Sequence, residues 1–458
     1  MIATASRNLV VLSQMAVVLS TVMDLFWPSH VGVSLIALSG VLYAALAKET
    51  GAVALRRTVW LLTLATLALL PGIEAPWAVL EKGIRIGGLI SSILLSVSLL
   101  SRAAQRVAVL REVVRRLLDV PARQRAISIP IASQLFGGFL GFAGIAMLME
   151  AAAEMKHQTK KERQLCFQGI SRGYAAANLW SPMYSNISIL LALSPGLTWA
   201  KIFPYALMLA AASLVLSWAM SGLLRSGAGA SEKGKLDWRA VAAMAWPVVL
   251  GMMLFLLLAV SFSLLLHVPI AAFIIGMSPL AALVLTMYLE PKRRSFHEAW
   301  RQLSSDFRGF ESLAGEVRLL MVSGCAGTVV AAAIPASWTL PIAQAVGVHP
   351  ILASFFLAAA VVLISCTSVH PILSAIVVAS TFPAVVVGLE PMFHVLSVLA
   401  GLGLAVVTTP FSVVSLTASR FSGLPLLTVS MKANFSFAAI SLLLVCTFIG
   451  CSASRLIH

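Results

Sequence analysis

Charge is what this chain has least of. Asp, Glu, Lys and Arg together make up 11% of its 458 residues, against about 25% in a soluble globular domain. That shortage excludes a cytosolic enzyme or a disordered tail. Acidic side chains are the scarcer kind, 17 against 32 Lys and Arg, for a formal net charge of +15 and a pI near 10.2. No Walker-type phosphate loop and no H-E-x-x-H pair occurs, and the eight histidines are scattered. These gaps speak against ATP hydrolysis by this chain and against a metal-dependent intramembrane enzyme. The five cysteines (Cys166, Cys325, Cys366, Cys446, Cys451) lie in or at the ends of apolar runs, without metal spacing or loop pairing, and are expected as free thiols.

Apolar residues are what it has instead: 60% of the chain, with a mean hydropathy of +0.97. Apolar runs fall at about 9–26, 31–47, 58–72, 84–101, 127–150, 166–193, 202–224, 241–267, 269–289, 317–338, 351–387, 392–419 and 425–450. Several reach the roughly 20 residues that a helix needs to cross a bilayer. The basic residues crowd into connectors such as 48–57, 102–125, 156–163, 225–239 and 292–308, whereas 339–350 holds no Lys or Arg. The excess charge therefore orients the chain in a membrane rather than pointing to nucleic acid.

Following the positive-inside rule from Arg7 puts the N-terminus in the cytoplasm and the C-terminus outside, as in a cell inner membrane. The run 127–150 is flanked on both sides by basic connectors, so both ends belong on one face. A re-entrant hairpin satisfies this, with Gly137-Gly138 as its expected turn. The run 351–387 is too long for one simple crossing and has uncharged flanks. It holds Ser365-Cys366-Thr367-Ser368, His370-Pro371 and Pro383, and reads as a second hairpin entering from outside. The expected fold is an all-α polytopic membrane protein of about eleven transmembrane helices plus two re-entrant hairpins.

Within Arg102–Arg125, Val107, Val109, Leu110, Val113, Val114, Leu117 and Leu118 share one helical face with arginines opposite, which suggests an arm helix lying along the membrane surface. The chain then divides into 1–101, N-terminal and mainly scaffold helices; 102–126, the arm; 127–224, hairpin, broken helix and following helix; and 225–240, a cytoplasmic linker. The second half follows as 241–338, scaffold with a cytoplasmic segment at 291–316, and 339–458, the second hairpin, broken helix and last helix.

Two strings repeat. Ala177-Asn178-Leu179-Trp180-Ser181-Pro182 and Ala405-Val406-Val407-Thr408-Thr409-Pro410 align at an offset of 228 residues, and Gly173 and Gly401 align at the same offset. With matched hairpins entering from opposite faces, this is the mark of an inverted repeat. Pro182 and Pro410 each remove an N–H and free backbone carbonyls about four residues earlier. In hydrocarbon, freed polar groups need partners, and Ser181, Ser185, Asn186 and Ser188 stand beside one break, with Thr408, Thr409, Ser412 and Ser415 beside the other. Such breaks can hold a dehydrated cation or a polar solute. Arg172 lies ten residues before Pro182, His370 sits at the second tip, and carboxylates are nearly absent from these segments, so the expected solute is anionic. Without an acidic pair, sodium is the expected coupling ion, and no other cofactor is implied.

This layout resembles the ion transporter superfamily, which includes divalent anion/sodium symporters and citrate and arsenite carriers. Symporter tips there carry Ser-Asn-Thr; here the second tip reads Ser365-Cys366-Thr367 and the first Ser133-Gln134-Leu135. The resemblance implies a homodimer, a scaffold fixed in the bilayer, and an elevator-like transport unit of hairpins and broken helices. It implies Ser133, Gln134, Ser365 and Thr367 as tip ligands, and Asn178, Ser181, Asn186, Thr408 and Thr409 as ligands on the broken helices, joined by Ser368, His370 and Arg172 from the polar clusters. The expected function is secondary transport of a small anionic solute. A lipid-carrier or anion exporter, and, from another class, a non-transporting membrane subunit or intramembrane enzyme, are the alternatives.

Overall fold

The computed structural model describes residues 2–46, 53–120, 122–155, 159–221, 238–288 and 295–457. It is all-helical, with no strand among the described residues. Three helices, α1 (Ile2–Phe26), α2 (His30–Leu46) and α3 (Val53–Leu69), precede the long α4 (Pro76–Arg106), the arm α5 (Ala108–Leu118) and α6 (Ala122–Glu154). Then come α7 (Lys160–Trp180), α8 (Ser185–Ala192) and α9 (Trp199–Ala219). The second half holds α10 (Trp238–Leu266), α11 (Ile270–Tyr288), α12 (Phe296–Arg308), α13 (Ala314–Ala333) and α14 (Ala336–Gly347). It ends with α15 (Pro350–Cys366), α16 (Pro371–Thr381), α17 (Pro391–Thr408), α18 (Val413–Ser422) and α19 (Ala433–Ile457). Local chemistry marks many starts: Pro76, Pro350, Pro371 and Pro391 open their helices, and capping boxes of Thr159 with Glu162 and Ser295 with Glu298 open α7 and α12.

Each of the eleven expected crossing segments is helical. By length and composition, nine described stretches qualify as membrane spans, eight of them on expected crossings; α2 and α3, at 17 residues each, are too short, and α7 is too polar in its first half. One of the nine, Gln124–Glu154, is not a single continuous helix. At Gly141 the backbone takes φ 61 and ψ −146, and α6 folds back on itself. Gly144 then approaches the Phe136 carbonyl, and Gly137 lies near Ile145, so the two arms run antiparallel. The turn is therefore at Gly141, not at the expected Gly137-Gly138. Only glycine takes such a conformation readily, and the earlier pair stays helical. The second hairpin is α15 and α16, turning through Thr367–His370.

The offset of 228 seen between Pro182 and Pro410 runs from α4 to the end of the chain's second repeat. It maps α4 on α13, α5 on α14, the two arms of α6 on α15 and α16, α7 on α17, α8 on α18, and α9 on α19. The helices α4 and α13 cross where Gly83 and Gly87 meet Gly324 and Cys325, the close approach that small residues permit. Arg106 reaches Asp306 with both terminal nitrogens, at 3.0 and 2.8 Å, and Arg102 donates to the Gly309 carbonyl at 3.0 Å, tying the end of α4 to the α12 region.

The arm departs from expectation. It begins at Ala108, with Val107 extended between α4 and α5. Its apolar face, Leu110, Val113, Val114, Leu117 and Leu118, is buried against the first hairpin and α10 rather than turned to lipid. The expected linker 225–240 lies outside the described residues as far as 237, and the segment 291–316 is described from 295. Burial is uneven: 94% of the most apolar stretch of α17–α18 is buried, against 11% for α10. The broken helix of the second repeat runs through the core, and α10 is peripheral.

Candidate functional site

The first halves of the broken helices, α7 and α17, pack side by side where Gly403 meets the carbonyl of Ala175, its own partner under the offset of 228. Near this point an approximate two-fold axis relates the repeats. Ser181 and Thr409 each lie six residues beyond the contact, about 9 Å along the helix at 1.5 Å per residue. The polar groups thus form two half-sites on either side of the axis rather than one cluster.

Both half-sites are bolted in the same way. Ser181 Oγ donates to the Gly138 carbonyl of the first hairpin and accepts from Met183 N at 3.1 Å. Thr409 Oγ1 donates to the Ser365 carbonyl of the second hairpin at 2.8 Å and accepts from Phe411 N at 3.2 Å. Every partner in one set matches its counterpart in the other at or within one residue of the offset. Below the breaks, the added Cβ of any residue larger than glycine at Gly173 would strike the Pro130 carbonyl, and at Gly401 that of Ala358. These positions are again related by 228. The aligned glycines are there because a hairpin backbone lies against each broken helix.

Carbonyls at the ends of the two broken helices find partners within the protein. Trp180 O accepts from Trp199 Nε1 at 2.9 Å, Val406 O from Ser412 Oγ at 2.5 Å, and Val407 O from Asn434 Nδ2 at 3.1 Å. Tyr184 OH adds a bond to Gly137 O at 2.7 Å and sets its ring edge-on against Tyr174. Asn186 Nδ2 donates to Asn178 Oδ1 at 2.5 Å, and Asn178 in turn donates to Tyr174 O. Ser188 Oγ, buried next to this pair in sequence, has no hydrogen-bond partner.

Several expected ligands occupy other roles. Ser133 and Gln134 stand two turns before the reversal at Gly141, and Ser133 donates to Ile170 O at 2.5 Å, so neither is at the tip. Arg172 is buried and turned toward the last helix, where Nε donates to Asn434 Oδ1 at 3.1 Å, one terminal nitrogen donates to Ala433 O at 2.9 Å, and the guanidinium lies over Phe437. Thr408 donates back to Leu404 O. His370 caps α16, accepting from Ile372 N at 3.3 Å. At the second tip, Ser365 Oγ lies 3.1 Å from Ser374 Oγ, while Thr367 and Ser368 are exposed and Ser368 holds a φ of 75. All five cysteines are free.

Sequence reading missed Asn434, which joins three elements. It meets Arg172 on α7 and the loosened carbonyl at the end of α17, and it also donates to Val429 O at the π-helical turn Thr428–Lys432 that opens α19. The available signal was an asparagine inside an apolar run, two residues from Lys432. Tyr184 and Trp199 carried no signal beyond composition.

No protein-family model and no curated protein matches the chain. Solved structures do. The YdaH transporter of Alcanivorax borkumensis aligns with a TM-score of 0.54 at 13% identity, covering 86% of this chain and 98% of that one. MtrF of Neisseria gonorrhoeae, described with a class of antimetabolite efflux pumps, aligns with a TM-score of 0.50 at 12% identity, covering 86% and 94%. The likeness is one of fold, to transporters generally, and does not single out the divalent anion/sodium symporter branch.

Proposed function

We propose that this chain is a secondary transporter of a small anionic solute, coupled to sodium and working by an elevator-like exchange of access. The observation that carries the reading is the paired bolt: two proline-broken helices, each fixed by one hydroxyl to its own hairpin, in repeats related by a constant offset. A non-transporting subunit has no need of two matched interruptions. The folds of YdaH and MtrF support transport as the general class.

The boundary between α4 and α13 on one side and α8 and α16 on the other supports the elevator part. Ile86, Ile90 and Leu320 face Ile189 and Ile376 there. A surface of aliphatic side chains gives little directional resistance to sliding. Ser101 Oγ, which donates to Leu140 O at 2.7 Å, would have to release the first tip in such a motion. The neutral oxygens of both half-sites, and the lack of a carboxylate among them, favour sodium over proton coupling. Homodimerisation and a cytoplasmic N-terminus in an inner membrane belong to the same proposal. MtrF supports a second reading of direction, export in place of uptake.

Thermal stabilisation of the purified protein across organic and inorganic anions, with and without sodium, tests class and coupling together. A hit that needs sodium supports both. Solute flux in proteoliposomes of Pro182→Ala and Pro410→Ala then tests the site: loss of flux is expected, and unchanged flux in both variants overturns it.

A further inference from the structure

At the end of the molecule that carries Lys160, Lys161 and Arg163, a narrow, open-mouthed pocket with a cavity volume of ≈ 20 Å³ lies between the start of α6, the first half of α7 and the end of α9. Its polar lining is Arg125, Glu162, Gln168, Arg172, Ser217 and Ser221. Arg172 spends Nε and one terminal nitrogen on Asn434 and Ala433, and Gln168 donates to the same Ala433 carbonyl at 2.9 Å. Arg125 is different: its Nε is buried without a hydrogen-bond partner. Glu162, one of whose carboxylate oxygens is held by Thr159 N at 2.9 Å and Thr159 Oγ1 at 3.0 Å, is close enough to feel the charge of Arg125 but offsets only one of the two guanidiniums. Two guanidiniums against one engaged carboxylate leave a positive pocket with an unpaired planar donor, a fork suited to oxoanions.

Position narrows the occupant. Ser217 and Ser221 stand at the end of α9, a candidate membrane span whose Met208, Val215 and Trp218 are exposed. A tryptophan at the end of such a helix sits at headgroup level, and basic pockets between membrane helices suit lipid headgroups. We propose that this cavity binds the phosphate of an anionic phospholipid headgroup, with Arg125 as its principal donor and Ser217 as a secondary one. The site is separate from both half-sites and does not depend on the transport reading.

The test is the thermal midpoint of the full chain in a neutral detergent, titrated with phosphatidylglycerol, with phosphatidylcholine and with inorganic phosphate. Phosphatidylglycerol is expected to raise the midpoint and phosphatidylcholine to leave it unchanged. In Arg125→Gln the apparent affinity for phosphatidylglycerol is expected to fall about tenfold or more, the loss of a charged hydrogen bond, and Ser217→Ala to fall less. Since Arg125 Nε makes no hydrogen bond within the protein, and Gln keeps a polar side chain beside Glu162, its variant should fold. An undiminished phosphatidylglycerol shift in Arg125→Gln, or an equal shift with phosphatidylcholine, overturns the proposal. A shift by inorganic phosphate alone, lost in Arg125→Gln, overturns the lipid as source while keeping the oxoanion chemistry. Since no flux is read, failure here leaves the transport proposal standing.

Discussion

At the first hairpin the chain reverses on Leu140, Gly141 and Phe142, an apolar tip held to α4 through Ser101. At the second it reverses through Thr367, Ser368, Val369 and His370, with two hydroxyl side chains exposed and a non-glycine residue at positive φ. Beneath the tips the anchoring is nearly identical. The repeats thus keep in common what holds a hairpin to a broken helix and differ in what the hairpin presents. Architecture follows the symmetry, and chemistry departs from it.

Replacing the glycines under the hairpins should break the common part most severely. Gly173→Leu and Gly401→Leu each push a side chain into a backbone carbonyl, and a cost of about 3 kcal/mol or more is expected. The monodisperse fraction on size exclusion should collapse for both, while Gly72→Ala, with open space around it, should match the parent. Next come the bolts. Ser181→Ala and Thr409→Val each leave a hairpin carbonyl unpaired, for about 1–3 kcal/mol. Similar falls in thermal midpoint would confirm that the anchors are equivalent, and a fall in only one would show that a single hairpin bears the stability.

The differing tips give a smaller effect. Ser368→Gly relieves a left-handed backbone at some cost in chain entropy, so a gain within about 1 kcal/mol is expected, with flux as the sensitive readout. Smallest is the arm. Arg115 and Arg116 hold the Glu112 carboxyl at about 2, well below the usual carboxylate range. With the folded value depressed, its contribution is present above the unfolded value and is lost as pH falls toward about 2. The group is exposed, so Glu112→Gln and the parent should share one midpoint from pH 5 to 8.

Most helices and the two chain reversals were legible in the sequence, because apolar length, basic flanks and two Pro-centred strings are local signals; α14, on the expected connector 339–350, was not. The turn was misplaced by a few residues, because two adjacent glycines look like a bend when they serve close contact: Gly138 lies under the Trp180 ring, and Gly137 lies beside Tyr184. Arg172 was read as facing solute because its partner is 262 positions away in the chain. The arm's apolar face was legible, but what covers it was not, since periodicity says nothing about whether lipid or protein lies opposite. Thr409 and Ser181 were singled out as solute ligands, and in the structure their hydroxyls fasten one element to another, a role that only three-dimensional proximity reveals.

The reversal at Gly141 also bears on how this protein would be drawn from its hydropathy alone. A single 31-residue apolar peak is here two helical arms joined by a reversal, so a count of hydropathy peaks and a count of helical arms disagree.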